Sequence, residues 1–429
     1  MKVQGSSMLK SIEKKQPYPS VVAVLDLKSF YAVVECVERG LDPYQTPLVV
    51  ADKSRGSGTI ILAVSPYLRS QGVPSRLRVF ELPKRSDIIF ATPRMSLYLE
   101  KSAQVMSTLL DFVGEDDLHI YSVDEAFLNL GPYLHLYQQT PRQLMATIKE
   151  TIYQRLHLLA TVGIGNNPFL AKSALDLEAK KAKDGIAEWH QDDVASKFWS
   201  LPVGEMWGIA SRMEHRLQQL GIITIQDLAT YPEHKLIALY GIMGQQLHEH
   251  ANGIDHSNIR EKYAPKEPGI SMGQVLYRDY DVDEAAVVIR EMCDDLTLRL
   301  RLQGNLTSLV HLSVGYSASL GGFSHQMSLI RATDDEDVLH EALMRLYHRY
   351  VESKPIRNIT FAFRKLSPLS HGQLDLFTDV AVTDKKRRLQ VTLAKIKERY
   401  GHNAVLRTSA LLKASTTRDR HGLIGGHRR

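Results

Sequence analysis

Residues 21–35 read VVAVLDLKSFYAVVE, and residues 120–130 read IYSVDEAFLNL. Between them these two stretches decide the fold. Residues 21–25 form a short apolar run of the kind a buried strand uses, and the run ends on Asp26. Asp124 and Glu125 stand side by side between two further short apolar stretches. Side chains alternate faces along a strand. Adjacent carboxylates among strand formers are therefore costly unless one of them meets water or a cation. Mg²⁺ takes oxygen ligands, commonly one or two carboxylates plus substrate phosphates. Two such ions, roughly 3.5–4 Å apart, stabilise both the attacking and the leaving oxygen of a phosphoryl transfer. Asp26 and Asp124 could bridge such a pair and Glu125 could complete it. Taken singly, each acid could equally end a strand beside a turn.

Outward from these stretches, 59–64 (TIILAV), 118–121 (LHIY) and 161–164 also read as strands, the last running into the turn-like GNNP of 165–168. Helical spacing marks 96–113 and 142–159. The first 185 residues thus alternate strands and helices, as in an α/β or α+β domain. From 200 to 253 the pattern is helical with glycine punctuation, and 259–273 has the Pro, Gly and charge content of a linker. Strands are expected again at 301–316 and 356–363, with helices at 284–302 and 334–352, giving a second small α/β domain. A chain of 429 residues exceeds one ordinary core, so two to four domains are expected.

The composition excludes several classes. Hydrophobic residues make up 44% and charged residues 24%, as in ordinary globular proteins, and no apolar run has the length of a membrane span. The first 20 residues lack a signal peptide's apolar stretch. Cys36 and Cys293 are the only cysteines and form no CxxC pair, so neither a disulfide framework nor a zinc site is expected. A cytoplasmic protein is the expectation. The net charge of +5 is uneven: residues 378–429 carry 13 Lys/Arg against 4 Asp/Glu, leaving the preceding 377 residues at −4. A basic tail suits nucleic-acid contact, though it could equally be a solvated face. Its final stretch, TTRDRHGLIGGHRR, reads as disordered, after a helix around 384–400.

The two acidic stretches, in this order and at this separation, resemble the Y family of DNA polymerases, in particular its bacterial UmuC-like branch of UV-damage repair proteins. The matching residues are Asp26-Leu27-Lys28-Ser29-Phe30-Tyr31-Ala32 and Ser122-Val123-Asp124-Glu125-Ala126. The resemblance runs from about residue 20 to 377. It implies a multidomain α+β right-hand polymerase. A ferredoxin-like palm would take 20–35 and 94–188, small fingers 36–93, and a helical thumb with a helix-hairpin-helix 189–258. After the linker would come an α/β little finger at 274–370, then a tail at 371–429. The implied activity is error-prone, template-directed translesion synthesis on DNA, of the kind used in the SOS response to DNA damage.

The resemblance also implies roles. Asp26, Asp124 and Glu125, with the Leu27 carbonyl, would hold two Mg²⁺ ions, and Tyr31 would be the steric gate against ribose. Lys28 departs from the acid or amide common at its place. Phe30, Tyr67 and Arg69 would face the nucleotide, together with one of Lys180, Lys181 or Lys183; the register leaves Lys180 first and Lys181 second. Tyr67 stands one residue out of the family's register, with Pro66 in its place. Gly208, Ile209 and Ala210 would form a DNA-binding hairpin, with Gly221 capping the helix after it. Gln373, Leu374, Leu376 and Phe377, in QLDLF, resemble a peptide that binds the bacterial sliding clamp (beta). Expected partners are primer–template DNA, dNTPs, the clamp and a UmuD-like accessory subunit. Two rivals remain: a nucleotide cyclase-like two-metal enzyme, and a catalytically inactive relative that only occupies DNA or the clamp.

Overall fold

A computed structural model describes residues 20–261, 265, 267–317, 320–371 and 380–429. The chain divides into two compact units, Met1–Lys262 and Tyr263–Arg429. No helix among the described residues is long and apolar enough to cross a membrane.

The first unit begins with β1 (Val22–Leu27), α1 (Phe30–Val37), β2 (Leu48–Val50), β3 (Ala63–Val64), α2 (Pro66–Ser70), β4 (Ile89–Ala91) and α3 (Met95–Leu110). It continues with β5 (Leu118–Ile120), β6 (Glu125–Asn129), α4 (Leu134–Tyr137), α5 (Pro141–Leu156), β7 (Ala160–Gly165), α6 (Pro168–Ala174) and β8 (Ile186–Trp189). Five strands make the main sheet, in the order β5-β6-β1-β7-β8. β1 is central, paired antiparallel with β6 and β7, which is why it reads as an almost unbroken apolar run. Val22, Ala23, Val24, Leu25 and Leu27 are all buried, and Asp26 is the one polar interruption. A small sheet, β3-β2-β4, lies apart from it. Only Ala63–Val64 of the 59–64 run expected as a strand joins this sheet; Ile60 makes a lone bridge to Arg78.

One helix matters most for the site. α6 lies hard against β7: a Cβ on Gly163 would stand 2.0 Å from the Ala171 carbonyl oxygen, and one on Gly165 2.5 Å from the Ala171 nitrogen. Any side chain at either position would push α6 off the sheet. Asn167 caps α6 by accepting from the Leu170 N–H at 2.8 Å, and Pro168 supplies its fixed φ at the first turn. Helices α7 (Ser211–Gln218), α8 (Ile225–Thr230), α9 (Glu233–Tyr240) and α10 (Ile242–Ala251) complete the unit, and their apolar faces share one core with α6 and β8.

The second unit contains β9 (Ile270–Tyr280), α11 (Val282–Leu302), β10 (Asn305–Tyr316), β11 (Gly322–Thr333), α12 (Glu336–Tyr350) and β12 (Ile356–Pro368). Its antiparallel sheet runs β11-β10-β12-β9 and shares a core with α11 and α12. β9 takes the last residues of the expected linker. The 301–316 strand starts only at Asn305, because the Asp281 capping box launches a helix that continues to Leu302.

The tail departs most from expectation. α13 (Val380–Tyr400) is followed by α14 (Thr417–His421) and a small hairpin of β13 (Leu423–Ile424) and β14 (His427–Arg428), so the stretch expected to be disordered is folded. Its charges find half-buried partners far away in sequence. Arg420 Nη2 and Nε lie 2.7 and 3.0 Å from Asp295 Oδ2, and the Thr416 N–H donates to Glu291 at 3.0 Å. Arg407 bonds Asp294 at 2.6 Å and also Glu336.

Burial raises the Asp294 carboxyl to about 7, with help from Glu336 beside it and against the pull of Arg407 and Arg290. A carboxyl raised on folding adds stability that is complete below its unfolded value of 3.8 and is lost as pH rises through about 7. The neighbouring His340, lowered to about 4, and Asp337, lowered to about 2, change charge only at lower pH. The melting temperature should therefore drop by about 2–4 °C between pH 6.5 and pH 8. Calorimetry on Asp294→Asn should show that drop abolished; an unchanged drop would refute the assignment.

Candidate active site

The carboxylates gather at one end of the main sheet. Asp26 and Glu125 are directly opposed partners in the β1–β6 ladder. The Leu27 N–H donates to the Asp124 carbonyl at 2.9 Å, tying the turn before β6 to the end of β1. That turn is tight, because the Tyr121 and Ser122 N–H groups both donate to the Glu125 carbonyl at 3.0 Å. Ser122 Oγ donates to Asp124 Oδ1 at 2.8 Å and so orients that side chain. Burial raises the Asp26 carboxyl, against the pull of Lys180 and reinforced by the charge of Asp124. Burial also raises Glu125, against Lys172.

Two lysines answer these acids. Lys172, on α6, is buried and donates to Glu125 Oε1 at 2.6 Å. Lys180 Nζ lies 2.7 Å from Asp176 Oδ1 and 3.4 Å from Asp26 Oδ2. Burial lowers the Lys180 ammonium, but Asp26 and Asp176 outweigh that and hold it above its ordinary value. After α6 the chain runs through a π-helical turn, Leu175–Ala179, closed by the Lys180 N–H donating to the Leu175 carbonyl at 3.2 Å. The extra residue of that turn rotates Lys180 toward Asp26. This explains why sequence spacing leaves the lysine's register open. Lys181 and Lys183 are exposed, and neither has a contact of this kind among the described residues.

Among the described residues no three His, Cys, Asp or Glu side chains stand ready to hold a metal ion. Asp26 and Glu125 stand as a pair across β1 and β6 with Asp124 on the adjoining turn, and Lys172 and Lys180 lie against Glu125 and Asp26. The donor set nevertheless fits a hard divalent cation. It consists of carboxylate oxygens, and Mg²⁺ needs only one or two of them beside substrate phosphates.

Tyr31 lies on α1 one turn beyond the site. Its ring stacks on Tyr98 at 4.5 Å and 21°, and burial, aided by the Asp124 charge, raises its hydroxyl. α1 is anchored by Glu35, fully buried, which accepts from Arg94 Nε and Nη2 at 3.0 and 2.8 Å, from Tyr98 at 2.7 Å, and from Arg39. Neither Glu35 nor Lys172 belongs to a motif that the sequence marks out. The available signals were a charged residue in an apolar helix face for each: Glu35 in FYAVVECV and Lys172 in PFLAKSA.

The Phe30 side chain is 3% exposed and belongs to the core, so only its backbone could face a nucleotide. Arg69, on α2, is exposed, and Tyr67 packs its ring on the small-sheet core. Gly208 has φ +93 and Gly221 φ +79. Gly208 and Ala210 are exposed, with Ile209 buried between them, and Gly221 follows α7. The clamp-peptide residues Gln373, Leu374, Leu376 and Phe377 lie outside the described residues.

Comparison with known proteins agrees with this architecture. Residues 25–176 match the impB/mucB/samB family, and residues 269–376 match that family's C-terminal domain. The chain belongs to this family, the Y-family DNA polymerases. Among its relatives, UvrX of Bacillus subtilis (strain 168), which carries the name of a UV-damage repair protein, is 34% identical over 95% of this chain and 97% of its own length. DNA polymerase IV 2 of the same organism is 33% identical over 95% of this chain and 98% of its own length. A solved structure, the Y-family DNA polymerase chimera Dbh-Dpo4(243-245)-Dbh, superposes with a TM-score of 0.64 at 20% identity, covering 80% of this chain and 98% of that one. That likeness speaks to the fold.

Proposed function

We propose that this chain is an error-prone, template-directed DNA polymerase that copies past damaged bases. The reading is carried by Asp26 and Glu125 facing each other across β1 and β6, with Asp124 on the turn beside them. The primer 3′-oxygen would form a bond to the α-phosphorus of a dNTP, and its proton would pass to solvent. The bond from that phosphorus to the bridging oxygen would break, and pyrophosphate would leave with the electron pair. Two Mg²⁺ ions, held by Asp26, Asp124, Glu125 and the Leu27 carbonyl, would lower the barrier by stabilising both oxygens. Lys180 and Arg69 would hold the triphosphate; the Lys180 ammonium 3.4 Å from Asp26 Oδ2 supports that role for Lys180.

The residues from α7 to α10 would grip the duplex as a thumb, with the hairpin at Gly208 meeting a phosphate. Residues 274–370 would serve as the little finger. QLDLF at 373–377 would tether the chain to a bacterial sliding clamp and raise its effective concentration at primer ends. A UmuD-like subunit is a further candidate partner, and the work would be done in the cytoplasm, at the nucleoid. The intact carboxylate set argues against an inactive relative, and the match to a polymerase family along both units argues against a cyclase.

The test is gap filling by the full chain with Mg²⁺ and dNTPs on a template bearing an abasic site. Extension past the site is expected, and a chain that extends no primer at all would refute the reading. Tyr31→Ala should raise ribonucleotide insertion relative to deoxynucleotide insertion by about 100-fold, a difference of about 2.7 kcal/mol. An unchanged ratio would remove Tyr31 from the sugar site.

A further inference from the structure

Beside the carboxylates, α5, the start of β7 and residues 180–186 enclose a cleft of about 650 Å³. Lys28, Arg142, Lys149, Lys180 and Lys183 line it, against Glu150 and Asp184 as its only acids. Lys180 joins it to the catalytic end of the sheet, since its ammonium also lies 3.4 Å from Asp26. Part of the positive charge is answered within the wall: Arg142 pairs with the Asp184 carboxylate, and Lys149 donates to the Asp184 carbonyl at 2.5 Å. The rest is not. Among the described residues Lys28 has no ion-pair partner, and its Nζ lies over the Tyr44 ring at 5.5 Å. Burial lowers the Lys149 ammonium, and Lys28 and Arg142 add to that against the pull of Asp184. Cations crowded in this way repel one another, and a multivalent oxyanion between them would relieve the repulsion.

We propose that this cleft receives the inorganic pyrophosphate released by nucleotide transfer. The proposal rests on the polymerase reading. Pyrophosphate is the one multivalent anion that the reaction produces within reach of Lys180. Ammonium and guanidinium groups are the donors that recognise it. Lys180 would hand the departing anion from the Asp26 side to Lys28 and Arg142, away from the primer end. This gives Lys28 and Arg142 a part in product release that neither the carboxylates nor the sugar gate supplies.

The experiment compares the wild-type chain with Lys28→Ala, the Lys28→Ala/Arg142→Ala pair and Lys28→Arg. Magnesium pyrophosphate is titrated into the full chain by calorimetry without DNA or nucleotide, and its inhibition of primer extension is measured separately. In the double variant the dissociation and inhibition constants for pyrophosphate should each rise about tenfold. The KM for dNTP should move less than about twofold, and Lys28→Arg should stay near wild type. Unchanged pyrophosphate constants in the double variant would overturn the proposal. So would a dNTP KM that rises in step, because the cleft would then belong to the incoming nucleotide. Failure of the wild-type chain to extend a primer would instead refute the polymerase reading, whatever the calorimetry shows.

Discussion

Asp124→Ala is expected to lower single-turnover nucleotide incorporation by about a thousandfold or more, the scale of losing a charged group that acts on the reacting phosphate. The fold should hardly notice. Asp124 sits half-buried on the turn before β6, and its described side-chain partner is the hydroxyl of Ser122 two residues away. Its backbone carbonyl, which holds the Leu27 N–H, is kept in the variant. Melting temperature and primer–template affinity should therefore stay near wild type. Asp124→Asn should fail as badly as alanine, because it keeps the shape and removes the charge a cation needs. Incorporation within about tenfold of wild type in either variant would take Asp124 out of the active site.

Lys172→Met should instead strike the fold. The Lys172 and Glu125 side chains are 7% and 9% exposed, so Lys172 is Glu125's compensation for lost water, while Lys172 also has Asp176 Oδ2 at 3.3 Å. Removing one partner of a buried pair costs about 3–5 kcal/mol, because the remaining charge stays desolvated. The pH dependence identifies the cause. Burial already raises Glu125 above its ordinary 4.5, and loss of Lys172 raises it further. A carboxyl raised on folding contributes stability that is complete below its unfolded value and is lost as pH rises through the folded one. The variant's deficit in urea or thermal unfolding should thus be large at pH 8 and shrink toward pH 4.5. Millimolar Mg²⁺ should recover part of it at pH 8 by occupying the freed carboxylate. A deficit that is the same at both pH values would mean that lost packing, and not the stranded carboxylate, is responsible.

The buried strands and their acids were legible because their signals are local. An apolar run that ends on an acid shows in five or six consecutive residues, and β1 and β6 need nothing more. The helices at 95–110 and 141–156 likewise carry their own periodicity. The lysine register was not legible, since a single π-turn between α6 and Lys180 changes which residue faces Asp26, and no residue spacing announces such a turn. The folded tail was not legible either. Arg420 finds Asp295 across 125 positions, and in sequence the segment holding Arg420 looks like any polar, glycine-containing end.

What the amino-acid sequence determined by itself was the central strands of the main sheet, the long helices, the family, and the three acids on which the chemistry would turn, since each depends on neighbours in the chain. What the tertiary structure alone decided was which charges meet. It set Lys172 on Glu125, Lys180 on Asp26, Glu35 between Arg94 and Tyr98, and Arg420 on Asp295. Those pairings are settled by packing, as when two glycines let α6 lie flat on β7, because burial makes a charge's partner a matter of distance in space and not of distance along the chain.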